Sequence, residues 1–237
     1  MFAPLRPLAP LRSICSLPKS SRQPLSITFE EPLIIMDENP RHDVAFQGVA
    51  AAFAEEAAFA FAGGDARTLP CQRLEEAFVA VEQGVAAFAA FPIENTLAGS
   101  VLTSYDVLDA HRLSLVGEVV LRVSHALIAP QGVAFDAIRR VFSHPVALAQ
   151  CEEFFRQNPA IEAVAAYNTA GAVRDVIAAG ASDAAAIASS RAAEVHGGVV
   201  LRSALEDHPQ NFTRFLLAAL PGAAPPEGAW SLARKTS

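Results

Sequence analysis

Short apolar runs alternate with amphipathic segments along the chain from residue 43 onward. The apolar runs have the length and the aromatic or β-branched content of strands, at 44–48, 68–71, 86–95, 113–130, 138–145, 163–169, 184–190, 199–205 and 211–220. The segments between them are typical of helices, at 51–62, 73–84, 100–111, 146–157, 170–180 and 191–198. Strands that alternate with helices predict an α/β fold with a largely parallel sheet.

Two of these alternating runs flank the long β-branched segment 113–130, which we expect to cross from one lobe to another. We predict a first lobe of about residues 43–120 plus 208–220, because the last strand is expected to return to it. The second lobe is then about residues 121–207. A cleft between two lobes is the natural place for a ligand site. The Pro- and Gly-rich residues 221–237 are expected to form a flexible tail.

The last predicted strand begins with polar side chains, in "NFTRFLL" (211–217). Alternation along an extended segment places Asn211, Thr213 and Phe215 on one face and Arg214 on the other. A carboxamide and a hydroxyl then share one face at the start of the strand. This pairing fits either ordinary strand chemistry or a site.

Several further polar residues stand between the end of a strand and the start of a helix. They are Asn95, Thr96, Ser100, Ser143, His144, Asn168, Thr169, Ser189 and Ser190. Helix N-termini present unpaired backbone N–H groups, which gather around the ligand crevice in open α/β sheets. Each residue alone is more often a helix cap than a ligand contact, whereas several together suit a small anion. Glu94 is interpreted either as a solvated carboxylate or as an anchor for its turn.

Composition narrows the function classes. The net charge of −7 argues against a nucleic-acid partner, and it requires any anion site to be built locally. No apolar run approaches the roughly 18 residues of a membrane span, so we predict no membrane partner. The three cysteines form no CxxC pair and the six histidines lack ligand spacing, which predicts free thiols and no metal. Glycine-rich nucleotide motifs are absent from the sequence, so we expect no cofactor.

Residues 1–42 differ from the rest, because they are rich in Pro, Ser, Leu and Arg and hold no acidic residue before Glu30. We interpret them as a disordered leader or as the product of a mis-called start, with Met36 opening the true chain. This interpretation predicts a cytoplasmic protein. The alternative is an organelle transit peptide, which has a similar composition and predicts a plastid location.

Seven segments carry recognisable motifs: "VAFQG" (44–48), "FPIENTLAGSVLTSYDVL" (91–108), "VGEVVLRVSHALIA" (116–129), "VFSHPVALAQC" (141–151), "NTAGAV" (168–173), "AAIASSRAAEVHG" (185–197) and "EDHPQNFTRFLL" (206–217). In this order and spacing they resemble the prephenate dehydratase family over about residues 43–218. The resemblance implies a two-lobed α/β fold like the type II periplasmic binding proteins, with the active site in the interlobe cleft. It also implies a catalytic domain over about residues 43–220.

The resemblance implies an enzyme that converts prephenate to phenylpyruvate with loss of CO2 and water, on the route to phenylalanine. The family's Thr-Arg-Phe motif falls on residues 213–215, so the resemblance makes Thr213 catalytic. The expected substrate-binding residues come from the matching motifs and strand ends: Asn211, Glu94, Asn95, Thr96, Ser100, Ser143, His144, Thr169, Ala170, Arg214 and Phe215.

The chain departs from the family pattern in several places. The family's usual Gly-Ala-Tyr-Ser after the first strand is Ala51 to Ala54 here, which removes a glycine and two hydroxyls from the expected cleft. Asn168, Val146 and His196 replace the usual Asp, Gln and Tyr. The sequence also ends about twenty residues after the Thr-Arg-Phe motif, so we expect no ACT regulatory domain.

Two alternative functions and the state of assembly stay open at this point. Arogenate, which carries an amino group in place of the keto oxygen of prephenate, is a close alternative substrate. A non-catalytic small-anion-binding protein on the same fold is a second, motivated by the hydroxyls missing around Ala54. A homodimer through the catalytic domains is the expected assembly if the chain associates.

Overall fold

The computed structural model describes residues 42–226, so the predicted leader and the end of the predicted tail lie outside the described residues. Two β-sheets, each covered by helices on both faces, make up this part of the chain. None of its helices is both long and apolar enough to cross a membrane.

The first sheet runs in the order β2-β1-β3-β11-β5, with a short β4 paired to β3. Its strands are β1 His42–Gln47, β2 Thr68–Cys71, β3 Ala86–Asn95, β4 Gly99–Ser100, β5 Ser114–Arg122 and β11 Phe212–Ala219. β1 is parallel to β2 and β3, whereas β11 enters between β3 and β5 and is antiparallel to both. The helices of this lobe are α1 Phe53–Ala62, α2 Leu74–Glu82 and α3 Leu102–Ala110.

Alternation along β11 divides the core of this lobe into two layers. Phe215 and Leu217 pack with the helix α1, and Leu216 lies in the layer of α2 on the opposite face. A bulge interrupts the pairing with β3, because Arg214 opposes Glu94 and the next residue, Phe215, opposes Pro92. The bulge lies beside the polar start of β11, and bulges commonly re-aim side chains at such places.

The second sheet runs in the order β10-β6-β9-β7-β8. Its strands are β6 Ala126–Ala129, β7 Arg140–Ser143, β8 Glu162–Ala165, β9 Ala184–Ala188 and β10 Val199–Arg202. Its helices are α4 Pro145–Ala149, α5 Glu152–Gln157, α6 Thr169–Ala179 and α7 Arg191–His196, with a short 3-10 helix at Phe135–Ala137. Two of these helices, α6 and α7, end at Gly180 and Gly197, whose positive φ angles of 58° and 77° suit the left-handed cap.

The prediction of a largely parallel sheet fails at one strand in each sheet. β11 is antiparallel to both of its neighbours, and β6 is antiparallel to both β9 and β10. The two connections between the sheets cause this, because the chain leaves the first sheet from β5 into β6 and returns into β11. A strand that arrives from the other lobe enters the sheet at the edge where its neighbours end, and so runs against them.

The predicted helix 146–157 is two helices. Cys151, between them, has a non-helical ψ of 32°. The carboxylate of Asp207 accepts hydrogen bonds from the backbone N–H groups of Glu152 and Glu153 at 2.9 and 3.1 Å, and so caps the second helix from a distant part of the chain. The expected cap at Ser100 is also wrong, because Ser100 lies in β4 and α3 starts after Val101 without a side-chain cap.

Candidate active site

The polar ends of the two sheets lie at facing edges. In the first sheet the carboxyl ends of β1, β2, β3 and β5 share an edge with the amino end of β11. In the second sheet the carboxyl ends of β7, β8 and β9 share an edge with the amino end of β6. Only residues 123–125 separate β5 from β6. The two edges therefore meet where the chain crosses between the lobes.

Thr213 lies at the first of these edges, in a buried cluster of side-chain amides. Asn95 Nδ2 donates to Thr213 Oγ1 at 2.9 Å and to Asn211 Oδ1 at 2.9 Å. Asn95 Oδ1 accepts from the backbone N–H groups of Leu97 and Ala98 at 2.9 and 2.8 Å. These two acceptor contacts fix the amide with Nδ2 toward Thr213, since an oxygen placed there would face Asn211 Oδ1 and the carbonyl of Phe212, which are both acceptors.

The amide cluster continues across the lobes. Asn211 Nδ2 donates to Gln150 Oε1 at 2.9 Å, and the same oxygen lies 2.9 Å from Nε2 of His125. His125 is buried, and its burial lowers the pKa of the imidazole. A neutral ring with its proton on Nε2 then donates to Gln150. The His125 ring also contacts the first lobe, where it packs edge-on against the ring of Phe53 with 5.9 Å between the ring centroids.

Thr96 supports the same edge through the backbone. Its hydroxyl donates to the carbonyl of Gln210 at 2.8 Å and accepts from the N–H of Phe212 at 2.9 Å. These contacts hold the end of β3 against the start of β11. Thr96 therefore positions the strand that carries Thr213, although its own side chain is exposed.

Four predicted site residues lie away from Thr213. Arg214, on the opposite face of β11, binds the Glu118 carboxylate at 2.6 Å, and Phe215 packs in the core beside α1. Glu94 is exposed on β3 and pairs with Ser100 of β4, which is exposed as well. Alternation along the strands turns Arg214 and Glu94 to the face opposite Thr213 and Asn95, whereas Phe215 shares the face of Thr213 but is buried in the core.

The polar residues of the second edge mostly complete their own lobe. Ser143 is fully buried, and its hydroxyl donates to the carbonyl of Ile187 at 2.6 Å. His144 Nδ1 accepts from the N–H of Val146 at 3.2 Å as the cap of α4, and burial lowers the pKa of this imidazole. Asn168 caps α6 through the N–H of Gly171 at 2.5 Å.

Thr169 and Ala170 form the first turn of α6. Thr169 is partly buried, whereas Ala170 is fully buried in the core of the second lobe. Ser189 and Ser190 precede α7, and Ser190 makes no side-chain cap. The predicted cluster of hydroxyl caps is thus present at one edge, but most of its hydrogen-bonding groups are engaged within the lobe.

The turn between β1 and α1 reaches into the second lobe. Ala51 packs with the core of that lobe, and the carbonyl of Ala50 lies 3.1 Å from Nε2 of His196. Ala51 has a φ of +67°, a left-handed conformation that is unfavourable for a residue with a Cβ. This is the position where the resemblance expects glycine. Alanine in place of the family's glycine at position 51 therefore causes backbone strain at the lobe interface.

An ion pair also joins the lobes. Arg191 Nη1 of α7 contacts Glu55 Oε2 of α1 at 2.5 Å, and its guanidinium stacks on Phe59 at 4.8 Å from the ring centroid. Glu55 accepts two further hydrogen bonds, from Ala51 N at 2.7 Å and from the hydroxyl of Thr68 at 2.9 Å. Burial raises the pKa of Glu55, but these bonds outweigh it and leave the pKa below its usual range.

A cavity of about 640 Å³ opens between the lobes beside this ion pair. Two guanidinium groups, three serine hydroxyls, one carboxylate and two phenyl rings line it: Arg122, Arg191, Ser124, Ser189, Ser190, Glu56, Phe53 and Phe59, with Gly64. In register, Arg122 directly opposes Phe212, the residue before Thr213. The cavity therefore adjoins the strand that carries Thr213 and has the cationic groups that a small anion needs.

The sequence does not identify the residues that join the lobes. No sequence motif marks them as site residues, because each lies within an ordinary helical or strand-like pattern: Gln150, His125, Glu55 and Arg191. Only their contacts with residues of the other lobe reveal them.

The described part of the chain offers little for metal or thiol chemistry. Within residues 42–226, no group of three or more His, Cys, Asp or Glu side chains is placed to hold a metal ion. Cys71 and Cys151 are free and buried, and burial raises the pKa of their thiols to about 11 and about 12. Both thiols are therefore protonated near neutral pH and poor nucleophiles.

A family model described as prephenate dehydratase matches residues 44–221. Among curated relatives, the chain is 45% identical over 202 residues to arogenate dehydratase 3, chloroplastic, of Arabidopsis thaliana, which is 84% of this chain and 46% of that protein. The chain spans about half the length of the curated relatives it matches.

Two solved structures resemble the fold. A prephenate dehydratase from Arthrobacter aurescens in complex with L-Phe has a TM-score of 0.72 and 30% identity, over 77% of this chain and 62% of that one. A protein described as a novel type of quorum quenching acylase has a TM-score of 0.70 and 36% identity, over 77% of this chain and 66% of that one. The expected two-lobed α/β fold is confirmed.

Proposed function

Because the chain belongs to the prephenate dehydratase family, we propose that it converts prephenate to phenylpyruvate, as a carbon–oxygen lyase of L-phenylalanine biosynthesis. The observation that carries the proposal is the hydroxyl of Thr213, buried at the facing edges of the lobes and held by Asn95 Nδ2 at 2.9 Å. Prephenate is the small-molecule partner that this proposal requires.

The proposed role of Thr213 follows from its hydrogen bond. Asn95 donates to Thr213 Oγ1, so it occupies a lone pair of that oxygen and leaves the hydroxyl proton to be donated elsewhere. In the reaction the ring carboxylate leaves as CO2, and its bonding electrons form the aromatic ring as the ring hydroxyl departs. Thr213 donates a hydrogen bond, and then a proton, to that departing oxygen, which leaves as water, and solvent returns a proton to Oγ1 of Thr213. A hydroxide ion is a poor leaving group, so this assistance lowers the barrier.

The rest of the site serves to orient the substrate. Asn211 and Gln150 extend the amide cluster across the lobes, which fixes Thr213 relative to the second lobe. Arg122 and Arg191 in the neighbouring cavity provide charge for a substrate carboxylate. Aromatisation makes the reaction strongly favourable, so orientation and one well-placed donor are sufficient contributions from the protein.

Arogenate is the second candidate substrate, and the name of the Arabidopsis relative favours it. That relative is also named chloroplastic, which supports the plastid alternative for this protein, whereas the cytoplasmic location stays a prediction. One of the solved structures with a similar fold is named for a different activity, that of an acylase. Binding of a small anion without turnover also stays a candidate.

The test is product formation by the purified protein at neutral pH. Prephenate, arogenate and an N-acyl homoserine lactone are each supplied, with a blank that lacks protein because prephenate decomposes unaided in acid. We expect phenylpyruvate from prephenate, well above the blank. Cleavage of the acyl amide with no phenylpyruvate, or no turnover from a folded protein, would contradict the proposal.

A further inference from the structure

A buried carboxylate holds two of the groups that line the interlobe cavity. Oε1 of Glu206 accepts from Nη2 of Arg122 at 3.2 Å, and Oε2 accepts from the hydroxyl of Ser124 at 3.4 Å. Both donors line the cavity, and both lie where the chain leaves the first lobe for the second. Glu206 lies on the segment that returns toward β11. One carboxylate on the returning segment therefore holds two cavity groups on the outgoing one.

Backbone contacts between the two crossing segments fix the position of Glu206. Its Oε2 also accepts from the N–H of His125 at 2.8 Å. The N–H of Leu205 donates to the carbonyl of His125 at 2.9 Å, and the N–H of Val123 donates to the carbonyl of Asn211 at 2.8 Å. The Glu206 side chain is only 1% exposed, so water does not replace these donors. The carboxylate is a rigid acceptor for the guanidinium in the cavity.

Arg122 depends on such an acceptor, because its own side chain is 42% exposed. A half-exposed arginine samples many rotamers, and binding a ligand to it is opposed by the loss of that freedom. The contact with Glu206 restricts the side chain before a ligand arrives. A guanidinium carries five N–H donors and this contact engages only Nη2, so donors remain for a ligand carboxylate.

We propose that Glu206 is a positioning residue of the anion-binding cavity, which presents the guanidinium of Arg122 and the hydroxyl of Ser124 to a carboxylate of the substrate. This inference rests on the proposed function and adds to it a residue that acts without touching the substrate. Thr213 is the donor at the reacting centre, whereas Glu206 acts on binding. Loss of Glu206 therefore weakens binding and leaves the chemical step largely intact.

The substitution Glu206→Gln tests the contact with Arg122 selectively. The glutamine oxygen takes the place of Oε2 and still accepts from the N–H of His125 and the hydroxyl of Ser124. Its amide nitrogen takes the place of Oε1 and faces Nη2 of Arg122, where two donors oppose each other. The guanidinium is then released from its position.

Asp207→Asn is the matched control. Asp207 is the next carboxylate along the chain, and it accepts from the backbone N–H groups of Glu152 and Glu153 as the cap of α5. Its bonds complete a helix of the second lobe, so the control should lose stability toward urea and keep the wild-type KM for prephenate.

The measurement is a double-mutant cycle on the Kd of prephenate, by isothermal titration into Thr213→Ala protein so that the ligand is not consumed. The cycle compares Glu206→Gln, Arg122→Met and the two combined. We expect Glu206→Gln to raise Kd by about 10-fold, the size of one hydrogen bond to a charged group, and to raise it little further in the presence of Arg122→Met. With Thr213 intact, Glu206→Gln should raise KM and change kcat by less than about twofold.

A residue that only stabilises the fold would raise Kd by the same factor in both arginine backgrounds, and a residue that competes with the ligand for Arg122 would lower Kd. Either result would overturn the inference, as would the absence of prephenate binding by folded Thr213→Ala protein. If circular dichroism shows that Glu206→Gln is unfolded, Arg122→Lys decides instead. It keeps the charge without the guanidinium and should raise Kd, whereas an unchanged Kd would contradict the inference.

Turnover separates this inference from the proposed function. A wild-type protein that binds prephenate but does not turn it over contradicts the proposed function, and the cycle on Kd still decides the role of Glu206. A wild-type protein that turns over prephenate while Glu206→Gln and Arg122→Met act independently on Kd supports the proposed function and overturns the inference alone.

Discussion

The facing edges of the two sheets carry similar sequences but use them differently. At the first edge, Asn95 bonds to Asn211 and Thr213, which are 116 and 118 positions away, side chain to side chain. At the second edge, Ser143 and Asn168 bond to backbone groups of their own lobe. Side chains held by other side chains keep a polar group in place for a ligand, whereas caps chiefly complete a helix or a strand. The hydrogen-bond partner of a polar residue at a strand end therefore indicates whether that residue serves a ligand site or completes the fold.

The largest expected effect comes from removing the hydroxyl at the first edge. Thr213→Val preserves the shape of the side chain but removes the oxygen that accepts from Asn95, so the variant should fold normally and lose about 1 kcal/mol in the free energy of unfolding. We expect kcat to fall by about 10²–10⁴-fold, the usual range for loss of a proton donor. Thr213→Ser, which restores a hydroxyl, should recover much of the activity. Near-wild-type turnover by the valine variant would show that the hydroxyl at the first edge is no more important for catalysis than the caps at the second edge.

The second expected effect concerns Arg191, the residue of the second lobe that pairs with a carboxylate of the first. Arg191→Met leaves Glu55 buried without its cation. We expect a loss of about 2 kcal/mol in the free energy of unfolding at pH 7, less than for a fully buried pair because the Arg191 side chain is 32% exposed. Urea unfolding measures it.

The pH dependence sharpens this prediction. The pKa of Glu55 is lowered in the folded protein, so its contribution is fully present above the unfolded-state value and is lost as the pH falls through the folded-state value. The difference in the free energy of unfolding between wild type and Arg191→Met should therefore shrink as the pH falls below the pKa of Glu55 in the unfolded protein. A difference that is constant with pH would mean that the ion pair contributes nothing.

The third prediction tests the second edge directly. Ser143 is fully buried and donates to Ile187, so Ser143→Ala should lower the free energy of unfolding by about 1 kcal/mol, which is typical of one hydrogen bond. Turnover should stay close to that of the wild type. A large loss of kcat without a loss of stability would show that Ser143 binds substrate after all.

The smallest expected effect is at the turn that joins the two lobes. Ala51 has a φ of +67°, where glycine is free of the steric strain that a Cβ causes. Ala51→Gly should raise the free energy of unfolding by about 1 kcal/mol, because relief of that strain exceeds the added chain entropy of the unfolded state. Ala52→Gly is the control and should destabilise the protein, since Ala52 has an ordinary extended backbone.

The sequence predicted most elements but not the direction of β11 and β6. The ranges of β2 and β3 were predicted to the residue, because alternating apolar runs bounded by turns depend on local patterning. The antiparallel entry of β11 depends on how the chain returns from the other lobe, and the break at Cys151 depends on Asp207. No local pattern contains either fact.

The candidate site shows the same limit. Thr213 and Asn211 were singled out by alternation and by the resemblance, and the structure brings them together with Asn95. Arg214 shares the motif but faces Glu118 on the other side of β11. Gln150 is identified as a member of the amide cluster only by its contact with Asn211. A motif identifies candidates, and the packing of distant segments decides which of them meet.

The central claim is that Asn95 acts on the reaction through the hydroxyl of Thr213. A double-mutant cycle on kcat tests it most directly, with Asn95→Asp, Thr213→Val and the double variant. Asn95→Asp keeps the oxygen that accepts from Leu97 and Ala98 but replaces the Nδ2 donor. We predict that Asn95→Asp lowers kcat strongly in the wild-type background and little further in Thr213→Val, because coupled residues are non-additive. Losses that simply multiply would contradict the account.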